Sequence, residues 1–352
     1  MLSLSSERAF NEKENRCHVK PNDFFPKSKH VEIENRSMPN PVKNELLIET
    51  LYTLISTGTE LTILNGNFKE GSVWDNYGQF PFIPGYNNIG KVIEVGEDVP
   101  RDWIGRKVAS YGAHAKYVVS DVQHIRLIQR EIPDEHAAFF TLAEIVMNGI
   151  RRSKITLGES VVVYGLGLIG QLAVRFCRLC GAQPVIAIDI SDDRLRKLPQ
   201  DPAIIRINSQ KEDVVEAVRL ATRGRMADVV FEATGSGSLI PEEFKTVRTQ
   251  GRFVLLSSPH SATPNFDFHD LCNAPSITII GAHNSSHPRH GTDDNPWTKS
   301  RHAELFFDLV ADHSLDVESL ISHRDHYTNA AGLYQMLLED RASAMGVVLK
   351  WF

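Results

Sequence analysis

Between residues 160 and 281, short apolar blocks alternate with stretches whose apolar residues recur every three or four positions. The blocks predict buried strands at Ser160–Tyr164, Pro184–Asp189, Ala203–Ile207, Asp228–Glu232, Arg252–Leu256 and Ile277–Gly281. The intervals predict helices, for example over Lys211–Thr222 and Gly237–Val247. Six such strands with helices between them imply an α/β fold with a doubly wound parallel sheet. The first half has another rhythm. Val31–Thr53 reads as two strands joined by a polar turn, and short β segments follow in PFIPGYNNIGKVIEVGEDV, GRKVASYG and AKYVVS, each bounded by Gly, Pro or Asp. A helix is expected from Pro133 to about Arg152, with acids Asp134 and Glu135 at its start and Arg151 and Arg152 at its end. After the sixth strand a polar loop leads to a helix over Arg301–Ala311, and a closing strand, GVVLKW, returns to the first unit. The expected division is residues 1–158, completed by 299–352, against a second unit over 159–298.

The turn after the first of the six strands carries the strongest chemical signal. In VVVYGLGLIGQ, Gly165, Gly167 and Gly170 make G-x-G-x-x-G between a strand and a helix. Gly165 permits the tight turn, Gly167 lets the backbone approach a pyrophosphate, and Gly170 allows helix and strand to pack closely. Leu168 and Ile169 open the helix, whose N-terminus offers free N–H groups to phosphates. The next strand ends at Asp189, where a carboxylate would bind a ribose 2′-hydroxyl and repel the extra phosphate of NADP. NAD is therefore the expected cofactor. Ile190 and Arg194 follow closely, and Arg194 keeps NADP open. Thr234 and Gly235 after the fourth strand, and Leu256 and Ser257 after the fifth, are expected beside the same cofactor.

Composition narrows the partners. The chain of 352 residues is 42% hydrophobic and 23% charged, with a net charge of −6 and no long basic run, which argues against nucleic acid. No apolar stretch is long enough for a membrane helix, and the polar N-terminus lacks the apolar core of a secretion signal, so a cytoplasmic location is expected. Four scattered cysteines make no disulfide framework. Cys177 and Cys180 form C-x-x-C inside an amphipathic helical stretch and read as packing thiols. His283, His287 and His290 lie in a loop broken by Pro288, and a solvent-exposed loop is favoured over a metal site.

The order of parts resembles the medium-chain dehydrogenase/reductase family, which includes the zinc alcohol and polyol dehydrogenases. The resemblance rests on STGTELTILNG, PFIPGYNNIGKVIEVGEDV, the YGLGLIGQ turn and the LISHRD…AAGLYQMLLEDR ending. It implies a Rossmann domain, a GroES-like catalytic domain, and a homodimer paired through the sixth strand of the nucleotide domain. In that family three side chains bind a catalytic zinc. Here the Cys position falls on Thr57, the His position on Tyr86 and the third position on Thr141, and no cysteine-rich lobe follows Val108. A threonine hydroxyl and a neutral phenol are not usual zinc ligands, so a zinc-free member is expected. It resembles the branch with an S-x-G-T-E segment, which includes the bacteriochlorophyllide dehydrogenase and sugar dehydrogenase-like relatives.

Without zinc, protein groups must handle the alcohol proton. Thr59 matches the position of a relaying Ser or Thr in relatives. Tyr86 points at the space the zinc leaves, as acid or base if the cationic nicotinamide lowers its pKa, or simply as filler. Glu144, an acid in an apolar helical run, is a candidate base, or else pairs with Arg151 or Arg152. Glu60 reads as holding its loop. Thr57, Asn87 and Trp297, with Asn88 and Lys299, are candidate substrate-pocket residues. The resulting expectation is a zinc-independent NAD-dependent dehydrogenase acting on a secondary hydroxyl of a sugar, cyclitol or related polar alcohol. A zinc-free quinone or enoyl reductase and a non-catalytic NAD-binding protein are the alternatives.

Overall fold

The computed structural model describes residues 19–340 and 344–352; Cys17 lies outside the described residues. An antiparallel pair, β1 (Val19–Phe24) and β2 (Glu32–Ser37), comes first. Five strands of a mixed sheet follow: β3 (Glu45–Leu54), β4 (Asn88–Val95), β5 (Lys107–Ser110), β6 (Tyr117–Asp121) and the short β7 (Arg126–Leu127). A second sheet then holds β8 (Val161–Tyr164), β9 (Val185–Asp189), β10 (Ile204–Asn208), β11 (Ala227–Glu232), β12 (Val247–Leu255) and β13 (Thr278–Gly281). The chain returns to the first sheet with β14 (Ile321–His326) and β15 (Gly346–Lys350), in the order β14-β15-β3-β4-β5-β7, with β6 against β3.

The second sheet has the order β10-β9-β8-β11-β12-β13 with every pair parallel. The strands VVVY and VIAID are buried at every position, as a sheet covered by helices on both faces requires. One apolar cluster covers one face and reaches into the first domain through Leu54, Ile89 and Phe140, while Ile186, Val230 and Phe253 belong to a cluster on the other. The mixed sheet has its own core of Leu46, Ile48, Val92 and Val108. Together these elements form a Rossmann domain and a second, mostly antiparallel domain. No helix among the described residues is long and apolar enough to cross a membrane.

Two helices differ from the sequence expectation. The helix expected over Pro133–Arg152 is broken into Asp134–Ala137 and Phe140–Ser153. The break lets adjacent Phe139 and Phe140 both bury completely, and Phe140 lies 5.5 Å from the Tyr111 ring and 6.5 Å from the Phe307 ring. The helix expected over Gly237–Val247 is only Ile240–Phe244, because Pro241 fits its first turn and Val247 already pairs with Ala227 in β12. The helix Phe140–Ser153 packs against both Leu168–Leu179 and Lys299–Ala311, which ties the two domains together beside the cleft.

Candidate active site

A cleft opens where the parallel sheet changes direction. The chain leaves β8 toward β9 and β10 and comes back on the other side at β11, so the loops after β8 and β11 diverge. Gly165 has φ +83, and a Cβ there would lie 2.9 Å from the Ala233 backbone. Gly170 is tighter still, since a Cβ would meet the Gly165 carbonyl oxygen at 1.8 Å. Gly167 faces open space and precedes the helix Leu168–Leu179 with no side-chain cap, which leaves the first N–H groups, at Leu168 and Ile169, to an anion.

At one end of the cleft, Asp189, Ile190 and Arg194 line a pocket of about 270 Å³, with Thr57 and Met345 reaching it from the other domain. Asp189 is buried and accepts hydrogen bonds from the Leu166 N–H (2.7 Å) and the Ser191 N–H (2.8 Å). The Arg194 guanidinium lies 3.7 Å from the same carboxylate. Past the glycine turn the cleft narrows to about 160 Å³ between Thr57 and Thr59 on one wall and Thr234, Gly235, Leu256 and Ser257 on the other. Glu232, fully buried at the end of β11, fixes the second wall. Its Oε1 accepts from the Thr234 N–H (2.6 Å), the Thr234 hydroxyl (2.6 Å) and the Gly235 N–H (2.8 Å), and its Oε2 accepts from the Ser257 hydroxyl.

The cleft then widens into a cavity of about 830 Å³. Tyr86 and Thr59 stand between the narrow part and this cavity, lining both. The Tyr86 phenol is hydrogen-bonded to the Ser56 hydroxyl and lies 3.3 Å from the Thr59 hydroxyl. Burial pushes the phenol up to about 12, with the bonds to Ser56 and Thr59 pulling partly the other way. Thr59 opens the short helix Thr59–Asn65, whose next residue, Glu60, anchors the loop. Glu60 Oε1 accepts from the Ser56 N–H (2.9 Å), and Oε2 is bonded to His114 Nε2 (3.1 Å) and the Tyr334 hydroxyl. Thr141 lines the cavity and donates its hydroxyl proton to the Tyr86 carbonyl (3.0 Å).

Three expected site residues lie elsewhere. Asn87 is fully buried and donates its amide to the Leu54 carbonyl (3.1 Å), on the side opposite Tyr86 in the segment that leads into β4. Trp297 is held between the Arg151 guanidinium, 3.1 Å from its ring centroid, and Arg301 at 4.1 Å, stacked on His302 and away from the cavity lining. Glu144 is fully buried behind the cavity wall. It accepts from the Tyr111 hydroxyl (2.7 Å) and faces Arg126 at 3.5 Å, so its partner is neither Arg151 nor Arg152. Burial raises its carboxyl to about 7, opposed by Arg126 and Tyr111. Tyr111, not Glu144, is the member of this group that lines the cavity.

Among the residues named beforehand as pocket candidates, Lys299 does line the cavity, and Asn88 does not; its amide donates to Thr50 Oγ1 (2.9 Å). His287 is buried rather than exposed, bonded to His302 at 3.1 Å, whereas His283 lines the cavity. Cys177 is fully buried, which raises its thiol pKa. Ser56, Tyr111 and Glu232 were not singled out by sequence reasoning. An acid after the apolar run VVF at the end of strand ADVVFE was the available signal for Glu232; Ser56 and Tyr111 had none, because their partners Tyr86 and Glu144 are 30 and 33 residues away.

Residues 169–295 match the family model for zinc-binding dehydrogenases. The D-guloside 3-dehydrogenase of Shigella flexneri is 26% identical over 269 residues, which cover 74% of this chain and 75% of that protein. The fold is also that of two solved structures. The short chain alcohol dehydrogenase rspB of Escherichia coli CFT073, complexed with NADH, superposes with a TM-score of 0.77 at 18% identity, covering 95% of this chain and 100% of that one. A zinc-binding dehydrogenase of Sinorhizobium meliloti 1021, described as putative and bound to NADP, gives 0.78 at 21% identity, covering 95% and 99%.

Proposed function

We propose that this chain, whose residues 169–295 match the zinc-binding dehydrogenase family, is a zinc-independent, NAD-dependent dehydrogenase acting on a secondary hydroxyl of a sugar, cyclitol or related polar alcohol. It is an oxidoreductase acting on a CH–OH group with a nicotinamide cofactor. The observation that carries the finer reading is Tyr86, a phenol with a raised pKa, bonded to Ser56 and set beside Thr59 between the narrow cleft and the cavity.

The residues at the cleft fit a dinucleotide. Gly167 leaves a space that any Cβ would enter, the helix behind it presents free N–H groups, and Asp189 stands at the far pocket. Bound there, NAD supplies the hydride acceptor. Asp189 favours NAD over NADP because a second carboxylate-facing phosphate would be repelled. The residues at the ligand positions do not fit zinc. Thr57 and Thr141 offer hydroxyls, Thr141 already donates to a backbone carbonyl, and burial keeps Tyr86 protonated when a metal would need phenolate.

With the Ser56 hydroxyl donating into the phenol oxygen, the single Tyr86 proton is directed at Thr59 or at a substrate oxygen in its place. Tyr86 orients that oxygen and stabilises the negative charge it gains in either direction. Thr59, half-exposed in the cleft, takes the alcohol proton and hands it to solvent as the ketone forms. The apolar side chains of Ile145 and Leu256 limit water at the reacting carbon. Residues 1–158 with 299–352 form the catalytic unit in this reading, and 159–298 the cofactor unit. The chain pairs as a homodimer through β13, an exposed edge strand with unpaired backbone groups on its outer side.

The test uses chelator-dialysed protein of measured zinc content. NAD with sugars, cyclitols and secondary alcohols is compared with NADPH plus quinones and enones, by absorbance of the reduced nicotinamide. Hydroxyl oxidation by zinc-free protein is expected. Activity that disappears on dialysis and returns with zinc would remove the metal-independent mechanism, and activity in the second panel alone would replace the reaction.

A further inference from the structure

The chain carries a net charge of −6, yet no carboxylate among the described residues lines the cavity beside Tyr86. Its ionisable lining consists of Lys69, Lys299, His260 and His283 together with tyrosine phenols. Lys69 and His260 stand at the exposed mouth, whereas Lys299 is half-buried. The lining is thus opposite in sign to the molecule that carries it, and such a cavity concentrates anions.

Lys299 is placed against its local field. It is the first residue of the helix Lys299–Ala311, whose first turn holds Arg301 and no acid. The positive end of a helix favours acids, and a lysine there costs stability. Among the described residues no carboxylate forms an ion pair with it. Glu144 feels the lysine's charge, but that carboxylate is engaged by Tyr111 and Arg126 behind the wall. The ammonium lies 5.2 Å from the centroid of the Tyr111 ring. Tyr111 cannot swing away to satisfy it, since its hydroxyl donates to Glu144 and accepts from Arg126 at 2.9 Å. A cation held at a cavity wall over a fixed aromatic face, with the carboxylate behind that wall already engaged, is built to receive an anion from the cavity.

The remaining walls suit a carbon chain bearing hydroxyls. Trp74 is fixed by its indole N–H, which donates to the Pro259 carbonyl (3.4 Å), and offers an apolar face, as does Tyr77. The volume of about 830 Å³ leaves room for a six-carbon substrate alongside the reacting end of a cofactor.

We infer that the substrate is an anionic polyol or sugar whose carboxylate or phosphoryl group binds Lys299 while its reacting hydroxyl lies at Tyr86. This rests on the hydroxyl-dehydrogenase reading above and narrows its substrate class. A charge-assisted hydrogen bond of this kind is worth roughly ten- to hundred-fold in affinity.

The experiment is calorimetric titration of the protein–NADH complex with gluconate, with sorbitol 6-phosphate and with sorbitol. At least one anion is expected to bind ten-fold or more tightly than sorbitol, and the better of the two identifies carboxylate or phosphoryl. Lys299→Met removes that preference and Lys299→Arg restores most of it, with thermal melting as the check that both variants fold. The ratio of kcat/KM for the preferred anion over sorbitol falls in parallel, mainly through KM. Equal binding of sorbitol and both anions, or a preference that survives Lys299→Met, overturns the inference. Turnover separates it from the broader reading. Oxidation of sorbitol without anion preference leaves the dehydrogenase standing and the Lys299 role refuted, whereas Lys299-dependent anion binding with no NAD reduction on any alcohol does the reverse.

Discussion

Replacing Tyr86 by Phe removes one oxygen and keeps the ring that separates cleft from cavity. The lost oxygen is bonded to Ser56 and lies 3.3 Å from Thr59. In ketone reduction the phenol donates to a carbonyl oxygen that becomes charged in the transition state, and a hydrogen bond to a charged group contributes about 1.5–3 kcal/mol. At about 1.4 kcal/mol per decade, the loss corresponds to roughly a ten- to hundred-fold fall in turnover. Burial holds the phenol protonated, with a pKa of about 12, so it remains a donor throughout the neutral and alkaline range. The kcat/KM profile of the free wild-type enzyme should therefore show no inflection from Tyr86 below about pH 10. The assay is steady-state oxidation of NADH with the ketone of the best alcohol substrate, on wild-type and Tyr86→Phe protein, with melting curves alongside. Ser56 borders the cleft, where water can replace the phenol, so the melting temperature should shift little. A folded variant with kcat within two-fold of wild type would refute the role given to this hydroxyl, leaving Tyr86 as filler.

Three further outcomes follow from the same structure. Asp189→Asn should raise KM for NAD about ten-fold and narrow its preference over NADP, because the charge that repels a 2′-phosphate is lost while the Arg194 guanidinium, 3.7 Å from that carboxylate, still lines the pocket; an unchanged cofactor ratio would detach Asp189 from ribose recognition. Glu232→Gln keeps one acceptor oxygen and turns the other into an amide donor, so it can no longer accept from Thr234 and Gly235 on one side and from Ser257 on the other; KM for cofactor should rise while kcat changes less, both read from initial rates. Glu243 is buried, neither of its carboxyl oxygens has a hydrogen-bond partner among the described residues, and burial with the nearby Glu232 raises its pKa to about 9. The unfolded carboxyl ionises near 4.5, so the native state holds the extra proton and stability falls as pH rises from about 4.5 to about 9, by up to about 1.4 kcal/mol per pH unit, then levels off. Glu243→Gln should therefore stabilise the protein at pH 8 more than at pH 5 in urea denaturation, and an equal effect at both would contradict it.

What the sequence made legible was local. Buried parallel strands are continuous apolar runs, and a glycine turn between strand and helix has a fixed spacing, so β8, β9 and the place of Gly165, Gly167, Gly170 and Asp189 could be located from neighbours alone. Side-chain direction was less accessible. Tyr86 and Asn87 are adjacent and both polar, yet the segment leading into β4 sends one to the cleft and the other to the Leu54 carbonyl. Glu144 pairs in the sequence reading with arginines about two turns along its own helix, but its partners Tyr111, just past β5, and Arg126, in β7, come from the mixed sheet, and only the pairing of β5 with β7 brings them there. Trp297 reads as a loop aromatic free to meet a ligand until Arg151, 146 residues earlier in the chain, is found lying on its ring.

The carboxylate of Glu232 holds Thr234, Gly235 and Ser257 in place through its own bonds, so this wall of the cleft has its shape before any cofactor arrives. Little chain entropy is left to lose there on association. The opposite side of the far pocket, formed by Thr57 and Met345, belongs to the other domain. Residence time is then governed by how readily that domain moves off the dinucleotide, and an enzyme that must exchange its cofactor at every turnover would have its speed limit set by domain separation rather than by loop ordering.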